Sequence, residues 1–397
     1  MILLKILFWV SFFALVHSYI VYPLLLKLLG FRKTTNQIVF LPADELPSLS
    51  ILIPAHNEEA VIKQKLSSIF ETTYPKNKIE LLIGSDASID KTDEIVKEII
   101  SNHTAFNGKF IQFKERNGKP KVINMLAKLA KNEILILTDA NVIFEKNTLY
   151  QLVKHFKNTE IALVDTRMIN TRQNNTGVSK AESAYIRGEV GIKNNEGKVF
   201  GKMIGPFGGC YAVRKSFYSP IPENFLVDDF YINMKVLEHG GKSISEINAR
   251  VHEEVQADWK IEFKRKIRIA TGSFQNLFAF SHLLLKFNSL SFCFLSHKVL
   301  RWFGPFFMLV LYLTNLFILV RILDIHELRI EKYLILFSLQ SLLLILFLFD
   351  LILVSLKIYF SPIHIVTHFL STNLALFIGF FKFISGVKSS IWQPTKR

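Results

Sequence analysis

Cysteine is nearly absent from this sequence, and the residues that interrupt secondary structure are scarce. The 397 residues include 2 cysteines, 12 prolines and 18 glycines. Cys210 and Cys293 cannot form a disulfide framework, so the chain is not a small disulfide-stapled domain, and reducing surroundings are compatible with it. The sequence also shows no internal repeat and no low-complexity segment.

Acidic residues are outnumbered, with 33 Asp and Glu against 48 Lys and Arg, and the formal net charge is +15. Such an excess is found in nucleic-acid-binding proteins, but no recognised basic motif of that kind is present. The composition offers another explanation, because 50% of the residues are hydrophobic and 13% are aromatic. Basic residues collect on the cytoplasmic flanks of membrane spans. We therefore expect a membrane protein with a sizeable non-membrane part and no nucleic-acid partner.

The N-terminus is expected to form a membrane helix, assigned to residues 1–30. This stretch is too long for a signal peptide, and no small-residue cleavage site follows it. Lys27, Arg32 and Lys33 lie at or just after its end. Because positive charges stay on the cytoplasmic side, residues 31–47 are predicted to be a cytoplasmic linker that leads into a cytoplasmic domain.

The C-terminal region, residues 301–384, is predicted to hold two or three further membrane helices. Three apolar stretches have about 20 residues each, the length that crosses a bilayer. They are Trp302–Val320, Leu334–Leu356 and Ile363–Phe383. The third holds His364 and His368, so it is expected either to span the membrane or to lie at its surface. A full span would put the basic tail, 385–397, outside the cell against the positive-inside tendency, and a surface helix would not.

Residues 48–275 are predicted to form one α/β domain, followed by an amphipathic interfacial segment at 276–300. Short apolar runs alternate with helical periodicity there, as in a sheet that is covered by helices. A polar stretch at 171–202 is predicted to be a loop or an insertion. The predicted strands are Leu49–Ile53, Ile79–Gly84, Phe110–Phe113, Ile134–Thr138 and Ile161–Asp165.

Two acidic residues stand at the ends of predicted strands, Asp86 near the end of the second strand and Asp139 directly after the fourth. In open parallel sheets, ligands bind beyond the carboxyl ends of the strands. Carboxylates that converge at this edge suit a metal ion or a polar cofactor. The two positions therefore mark the expected site, with a plain turn role as the alternative for Asp86.

Short motifs follow one another along the domain in a fixed order: Pro54–Glu59, Ser85–Thr92, Arg116–Lys119 with Asn124, Asp139–Asn141, Gly208–Arg214, Val227–Asp229 and Lys264–Arg268. Together they resemble the family 2 glycosyltransferases. The resemblance implies an inverting nucleotide-sugar enzyme with a Rossmann-like GT-A fold. With its membrane segments, the chain is similar to the branch that holds the cellulose, hyaluronan and poly-N-acetylglucosamine synthases.

By this resemblance, one side of the site binds the nucleotide-sugar donor, usually through uridine. The residues implied in donor binding are Pro54, Ala55, Asn57, Glu58, Asp86, Lys119 and Asp139. A carboxylate such as that of Asp86 can accept hydrogen bonds from a base or a ribose. Lys119 follows Gly118 in a flexible turn and offers a positive charge to a phosphate or a sugar, with an ordinary surface lysine as the alternative.

The resemblance also implies a divalent metal cofactor, Mg²⁺ or Mn²⁺. Asp139 and Asn141 occupy the positions of the family's Asp-x-Asp motif, whose oxygens hold the donor diphosphate through the ion. Hard divalent cations prefer oxygen ligands and share substrate phosphates. Asn141 replaces a carboxylate by a neutral amide, which weakens the expected site by one charge. His252 is a further candidate ligand, although a histidine in so polar a segment is more often exposed.

Asp229 matches the second acid of the family's Glu-Asp motif, here Asp228-Asp229, and is expected to be the catalytic base. An inverting transfer needs a carboxylate to take the proton of the acceptor hydroxyl. If both acids are buried, Asp228 raises the proton affinity of Asp229. The alternative is that the pair only caps the predicted helix Phe230–His239.

Arg268 matches the arginine of the family's Gln-x-x-Arg-Trp element. Its guanidinium is expected to act in catalysis by pairing with the diphosphate as negative charge grows in the transition state. Ile269 stands where the family has tryptophan, which lies beside the acceptor sugar in processive synthases. The substitution therefore predicts an enzyme that is not processive.

We expect a multi-pass enzyme of the plasma (inner) membrane with a cytoplasmic catalytic domain. It would transfer one sugar with inversion, from a nucleotide-sugar that is expected to be UDP-linked, to a glycan or lipid-linked acceptor in cell-surface polysaccharide or glycolipid synthesis. One alternative is a processive polysaccharide synthase that exports its polymer. Another is a non-catalytic membrane scaffold on the same fold, against which the intact Asp86, Asp139, Asp229 and Arg268 argue.

Overall fold

The structure is a computed structural model that describes residues 1–103, 106–170, 177–254, 259–325, 331–356 and 361–387, with residues 358 and 389. An eight-stranded sheet forms the centre of the chain, and helices cover both of its faces. The strands are β1 (Leu49–Ala55), β2 (Ile79–Asp86), β3 (Asn107–Phe113), β4 (Ile134–Thr138), β5 (Val142–Phe144), β6 (Ile161–Asn170), β7 (Cys210–Arg214) and β8 (Lys242–Glu253).

The described α-helices extend from the N-terminus to the C-terminal region. In chain order they are α1 (Ile2–Val16), α2 (Tyr22–Leu29), α3 (Ile62–Phe70), α4 (Thr92–Asn102), α5 (Lys119–Leu129), α6 (Thr148–Val153), α7 (Gly177–Phe200), α8 (Asp228–Glu238), α9 (Trp259–Ala279), α10 (Ser289–Cys293), α11 (Leu300–Trp302), α12 (Gly304–Ile325), α13 (Glu331–Ser355) and α14 (Ser361–Ile384). Those that cover the sheet do so with apolar faces. In α3, for example, Ile62, Leu66 and Ile69 recur at helical spacing and are fully buried.

The strand order is β3-β2-β1-β4-β7-β6-β8-β5. Strands β1 to β4 run parallel, whereas β7 is antiparallel to both of its neighbours. Strands β1, β2 and β4 are buried on both faces, as nearly continuous apolar sequences predict. Ile51 and Ile53 belong to one core and Leu52 to the other. The carboxyl ends of the parallel strands share one edge, where Asp86 and Asp139 lie.

The predicted strands are confirmed as β1, β2, β3, β4 and β6. Strands β5, β7 and β8 were not predicted. Strand β7 lies inside the motif Gly208–Arg214, and β8 mixes exposed and buried residues without a regular alternation. Charged residues within β8 hide its period from the sequence.

The prediction of a loop at 171–202 is wrong for most of that stretch, because helix α7 occupies it. The alternative prediction, an insertion, stays a prediction. The polar composition belongs to a helix that buries three charged residues, Glu189, Lys193 and Glu196. Glu196 has no exposed surface, and Lys193 makes a buried ion pair of 2.6 Å with Asp165 of β6. Paired charges therefore take the place of an apolar face. Residues 171–176 lie outside the described residues.

Helix α7 also fastens the sheet region to the N-terminal helix through a buried polar cluster. The hydroxyl of Tyr22 donates to Oε1 of Glu196 over 2.7 Å. The imidazole of His297 lies 2.8 Å from Glu196 and 3.1 Å from Glu189. These groups come from three distant parts of the chain. The cluster therefore connects α2 and the segment around His297 to α7, which packs on the sheet.

Among the described residues, four helical stretches are long and apolar enough to cross a membrane. They are Ile2–Leu29, Gly304–Arg321, Glu331–Val354 and Ile363–Ile384. The stretches predicted from hydropathy coincide with them to within a few residues. A π-helical turn, His17–Val21, joins α1 to α2 within the first stretch.

Helix α14, predicted either to span the membrane or to lie at its surface, packs along α9. Gly379 makes the crossing tight, because a Cβ there would lie 2.5 Å from Cβ of Ala270. Further along, Nζ of Lys266 is 3.1 Å from Nε2 of His368. The helix that carries Arg268 therefore rests directly on an apolar C-terminal helix.

Candidate active site

The predicted acids Asp139 and Asp228 meet at the ammonium group of Lys119. Nζ of Lys119 lies 2.8 Å from Oδ1 of Asp139 and 3.5 Å from Oδ2 of Asp228. The backbone N–H of Asp139 donates a 3.0 Å hydrogen bond to the carbonyl of Gly209, which fixes the turn after β4 against the loop before β7. The three charged side chains line one cleft at the carboxyl edge of the sheet.

The local backbone directs Lys119 into this cleft. Gly118 has a φ of +84°, a conformation that favours glycine, and Lys119 is the first residue of α5 after it. Burial lowers the pKa of Lys119, but Asp139 and Asp228 outweigh burial and raise the pKa above its ordinary value. Lys119 is therefore a permanent positive charge, which suits it to contact phosphate.

Asp229 lies beside these groups in the first turn of α8. Burial and the neighbouring carboxylate of Asp228 raise the pKa of Asp229 from 3.8 to about 7, although Lys119 opposes the shift. Gly208 packs against it: a Cβ there would lie 2.8 Å from Oδ2 of Asp229, and the φ of Gly208 is +83°. Glycine thus leaves room for a carboxylate whose pKa suits proton transfer near neutral pH.

The capping alternative for the two acids receives little support from the geometry. Val227 is the N-cap residue of α8, and both Asp228 and Asp229 lie within the first turn. The helix dipole favours negative charge at that position. A helix-stabilising role alone does not explain why Asp228 turns toward Lys119.

Arg268 and Ile269 lie on α9, and both have exposed surface. Desolvation and the nearby charge of Arg265 lower the pKa of Arg268, while the three cleft carboxylates raise it. An arginine stays protonated at neutral pH under such shifts. The cleft carboxylates and the guanidinium are therefore close enough to influence one another.

Asp86 is fully buried, and the loop that leads into α5 surrounds its carboxylate. The backbone N–H groups of Asn117 and Gly118 donate to it over 2.6 and 3.0 Å, and Nε of Arg116 over 3.2 Å. In addition, Nδ1 of His56 donates to the carbonyl of Asp86 over 2.8 Å. Asp86 therefore fixes the loop whose next residue is Lys119. Its predicted contact with the nucleoside stays a prediction.

Pro54 and Ala55 are the last two residues of β1, and Asn57 and Glu58 lie in the loop that follows it. This loop pairs with the turn after β2. Oδ1 of Asn57 accepts a 2.9 Å hydrogen bond from the N–H of Ile89, and the N–H of Glu58 donates to Thr92 over 2.8 Å. Pro54 also lines the cleft. Hydrogen bonds thus hold the loop after β1 against the turn after β2, and Pro54 lies in the same cleft as Lys119. The role of these residues in donor binding stays a prediction.

Oxygen ligands expected of a magnesium or manganese site are present, but they are few. The side chain of Asp139 is 34% exposed in the cleft. Nδ2 of Asn141 donates a 3.0 Å hydrogen bond to Glu253, which leaves the amide oxygen as its ligand atom, and His252 lies 3.0 Å from Glu145. The described residues contain no group of three or more His, Cys, Asp or Glu that could hold a metal. The carboxylate of Asp139 and the amide oxygen of Asn141 fit a hard cation that takes its other ligands from phosphate and water.

Comparison with known proteins identifies the family of one domain of the chain. Residues 50–221 match the family model described as Glycosyl transferase family 2. The chain carries a family 2 glycosyltransferase domain. The match includes Asp86 and Asp139 and ends before Asp229 and Arg268.

Two curated relatives are similar to part of this chain. The "Probable glycosyltransferase YdaM" of Bacillus subtilis is 36% identical over 121 residues, which are 30% of this chain and 28% of the relative. The "Poly-beta-1,6-N-acetyl-D-glucosamine synthase" of Staphylococcus aureus is 28% identical over 126 residues, which are 32% of this chain and 29% of the relative. The chain therefore spans less than a third of the length of these curated relatives.

One solved structure resembles almost the whole chain. The "Mannosyltransferase PcManGT from Pyrobaculum calidifontis in complex with GDP-Man and Mn2+" has a TM-score of 0.70 and 17% sequence identity, and the match covers 96% of this chain and 99% of that one. A likeness at this identity shows the fold. The predicted fold class, a GT-A-type α/β domain with apolar helices at both ends, is confirmed.

Several residues of the glycosyltransferase domain that shape the cleft were not singled out by the sequence. Gly208 gives room to Asp229, His56 supports Asp86, and Tyr211 lines the cleft beside Asp228. The adjacent glycines before β7 were the available signal for Gly208, since paired glycines mark unusual backbone. Tyr211 gave no signal, because a tyrosine in a buried strand is ordinary.

Proposed function

We propose that this chain is a membrane-bound, inverting glycosyltransferase that transfers one sugar from a nucleotide-sugar to a glycan or lipid-linked acceptor. The observation that carries the proposal is Asp229, a carboxylate with a pKa raised to about 7, beside a cleft that holds Asp139, Asp228 and Lys119. A base of neutral pKa and a cation for phosphate are the two chemical requirements of such a transfer.

In the reaction, Asp229 takes the proton of the acceptor hydroxyl as the hydroxyl oxygen attacks the anomeric carbon. The bond from that carbon to the diphosphate breaks, and the nucleoside diphosphate leaves with the electron pair. Lys119 and Arg268 stabilise the negative charge that grows on the diphosphate, because both stay protonated at neutral pH. Attack from the face opposite the leaving group inverts the configuration at the sugar.

A divalent metal held by Asp139 and Asn141, Mg²⁺ or Mn²⁺, would act as a Lewis acid on the diphosphate. The cleft residues support this because two carboxylates already surround one positive charge there. The mannosyltransferase structure compared above is a complex with GDP-Man and Mn2+. UDP-linked donors remain our first expectation, with GDP-linked donors as the alternative.

Membrane attachment follows from the four apolar helical stretches, and we place the catalytic domain at the cytoplasmic face of the plasma membrane. Phe278 lies near the end of α9, and Leu285 and Phe287 follow that helix. Their apolar side chains are exposed, which supports an interfacial position for 276–300. Cell-surface polysaccharide or glycolipid synthesis is the process that such a site and location fit.

A processive polymerase is the second candidate, and the similarity of about a third of the chain to a poly-N-acetylglucosamine synthase favours it. A scaffold without activity is the candidate of another class. The test is a screen of purified protein in detergent with UDP- and GDP-sugars, measured by release of nucleoside diphosphate and by transfer to added acceptors. Turnover of one donor supports an enzyme, and the length of its products separates single transfer from polymerisation. No binding and no turnover with any donor would contradict the proposal.

A further inference from the structure

The hydroxyl of Tyr211 is a buried polar group beside the cleft. Tyr211 lies on β7, opposite Leu137 of β4, and only 1% of its surface is exposed. Its phenolic oxygen has no partner among the described residues. Buried hydroxyl groups nearly always have one, because leaving a donor unsatisfied costs the hydration that it gave up on folding.

The position of Tyr211 indicates what the missing partner is. Its side chain lines the same cleft as Lys119, Asp139 and Asp228. Burial and the carboxylates of Asp228 and Asp229 raise the pKa of the phenol well above its ordinary value, so the group keeps its proton and acts as a hydrogen-bond donor. The ligand group that would satisfy this O–H donor is an acceptor oxygen.

We propose that the hydroxyl of Tyr211 donates a hydrogen bond to an oxygen of the nucleotide-sugar donor, and that it is a donor-binding residue of this enzyme. The inference rests on the proposed function. Two oxygens of the donor have the required chemistry, a diphosphate oxygen and a hydroxyl of the sugar that is transferred. Both lie on the part of the donor that the cleft between Asp139 and Asp228 would enclose.

The test uses Tyr211→Phe, which removes only the hydroxyl. Affinity is measured for UDP, GDP, UDP-N-acetylglucosamine and GDP-mannose in the full-length protein, together with the thermal midpoint of the unliganded protein. We expect the affinity of the bound donor to fall by roughly 10- to 100-fold, the value of a hydrogen bond to a charged or polar ligand group. We expect the thermal midpoint to stay equal or rise, because an unsatisfied buried hydroxyl has been removed.

The matched control is Tyr74→Phe. Tyr74 is equally buried, but its hydroxyl donates to the carbonyl of Pro47, away from the cleft. We expect this variant to have a lower thermal midpoint and unchanged affinity. If Tyr211→Phe binds both the nucleoside diphosphate and the nucleotide-sugar more weakly, the acceptor is a diphosphate oxygen. If it binds only the nucleotide-sugar more weakly, the acceptor is a sugar hydroxyl.

The two proposals fail in different ways. If the wild-type protein binds none of the four probes, the proposed function is wrong and the Tyr211 inference is wrong with it. If the wild type binds and Tyr211→Phe binds equally well, the inference about Tyr211 alone is overturned. A thermal midpoint that falls as in Tyr74→Phe, together with weaker binding, would show a structural role and would also overturn it.

Discussion

Nζ of Lys65 donates a 2.8 Å hydrogen bond to Oγ1 of Thr138 from a position with no exposed surface. The same ammonium group donates to the carbonyl of Val142 and lies 3.6 Å from the ring centre of Phe144. Thr138 in turn donates to the carbonyl of Gly209 over 3.1 Å. A buried lysine thus supports the turn that presents Asp139, together with the loop that packs against Asp229.

This position makes the stability of the protein depend on pH in a predictable direction. Burial lowers the pKa of Lys65 from 10.5 to about 7. Between these values the unfolded chain binds one more proton than the folded chain, so the contribution of Lys65 becomes more favourable as the pH rises from about 7 to about 10. Each pH unit in this range adds at most about 1.4 kcal/mol to the free energy of unfolding.

The comparison is between wild type and Lys65→Met, with thermal midpoints measured from pH 7 to pH 10. The thermal midpoint of the wild type should rise relative to that of Lys65→Met as the pH rises. Lys63→Met, on the exposed side of the same helix, is the control and should follow the wild type at every pH. Parallel curves for wild type and Lys65→Met would show that Lys65 has an ordinary pKa.

Asp229→Asn should abolish sugar transfer and leave nucleotide binding nearly intact. The amide cannot accept the proton of the acceptor hydroxyl, and loss of a general base reduces rates by roughly 10²- to 10⁴-fold. Asp44→Asn, at a partly exposed carboxylate that pairs with Lys157, is the control for the loss of one charge. Transfer by Asp229→Asn at more than a tenth of the wild-type rate would remove Asp229 from the mechanism.

The pH dependence of kcat/KM should report the raised pKa of Asp229. The base must be ionised to act, so activity should rise with pH and level off above about 7. Because the carboxylate of Asp228 is one cause of the raised pKa, Asp228→Asn should move this rise to lower pH by about one unit. A rise that stays at the same pH in Asp228→Asn would show that the two acids are not coupled.

The sequence predicted the parallel strands and the motif residues, and it failed where charge replaced apolar surface. Strands such as β1 were predictable because both faces are buried and the apolar run is continuous. Helix α7 was not, because Lys193 and Glu196 are buried in pairs rather than as apolar residues. Lys65 lies on the same buried face as Leu66 and Ile69. From the sequence alone, a single lysine in an apolar stripe cannot be told apart from a lysine in solvent, because its partners are far away along the chain.

The cleft itself was predictable only as a set of residues. Motif order implied that Asp139, Asp228 and Lys119 belong together, but the ammonium between two carboxylates follows from the start of α5 and from the backbone of Gly118. The orientation of Asn141 toward Glu253 depends on the pairing of β5 with β8, strands that the sequence did not predict.

Asp139→Ala should weaken the binding of UDP or GDP in the presence of Mg²⁺ or Mn²⁺, and the remaining binding should be insensitive to EDTA. The reason is that the carboxylate and the diphosphate would share the ion. Asn141→Asp is the informative partner variant, because it restores the missing negative charge and should lower the metal concentration that is needed for activity. If EDTA leaves the activity of the wild type unchanged, the metal proposal is wrong.

The length of the product should reflect Ile269. Its side chain is 38% exposed on α9, one residue after Arg268, and an aliphatic side chain offers no flat face on which a sugar ring can stack. We therefore expect products extended by one sugar or a few, with release between additions. The measurement is the size of the products at low conversion, with labelled donor and excess acceptor.

Single additions spread over the acceptor pool would support this expectation, and Ile269→Trp should then lengthen the products if stacking holds the acceptor. Ile269→Leu is the matched control, because it keeps the aliphatic character and should leave product length unchanged. Long polymer beside untouched acceptor in the wild type would instead show a processive synthase. In that case a surface other than Ile269 must hold the growing chain. The processive polymerase would then become the first candidate function and single transfer the second.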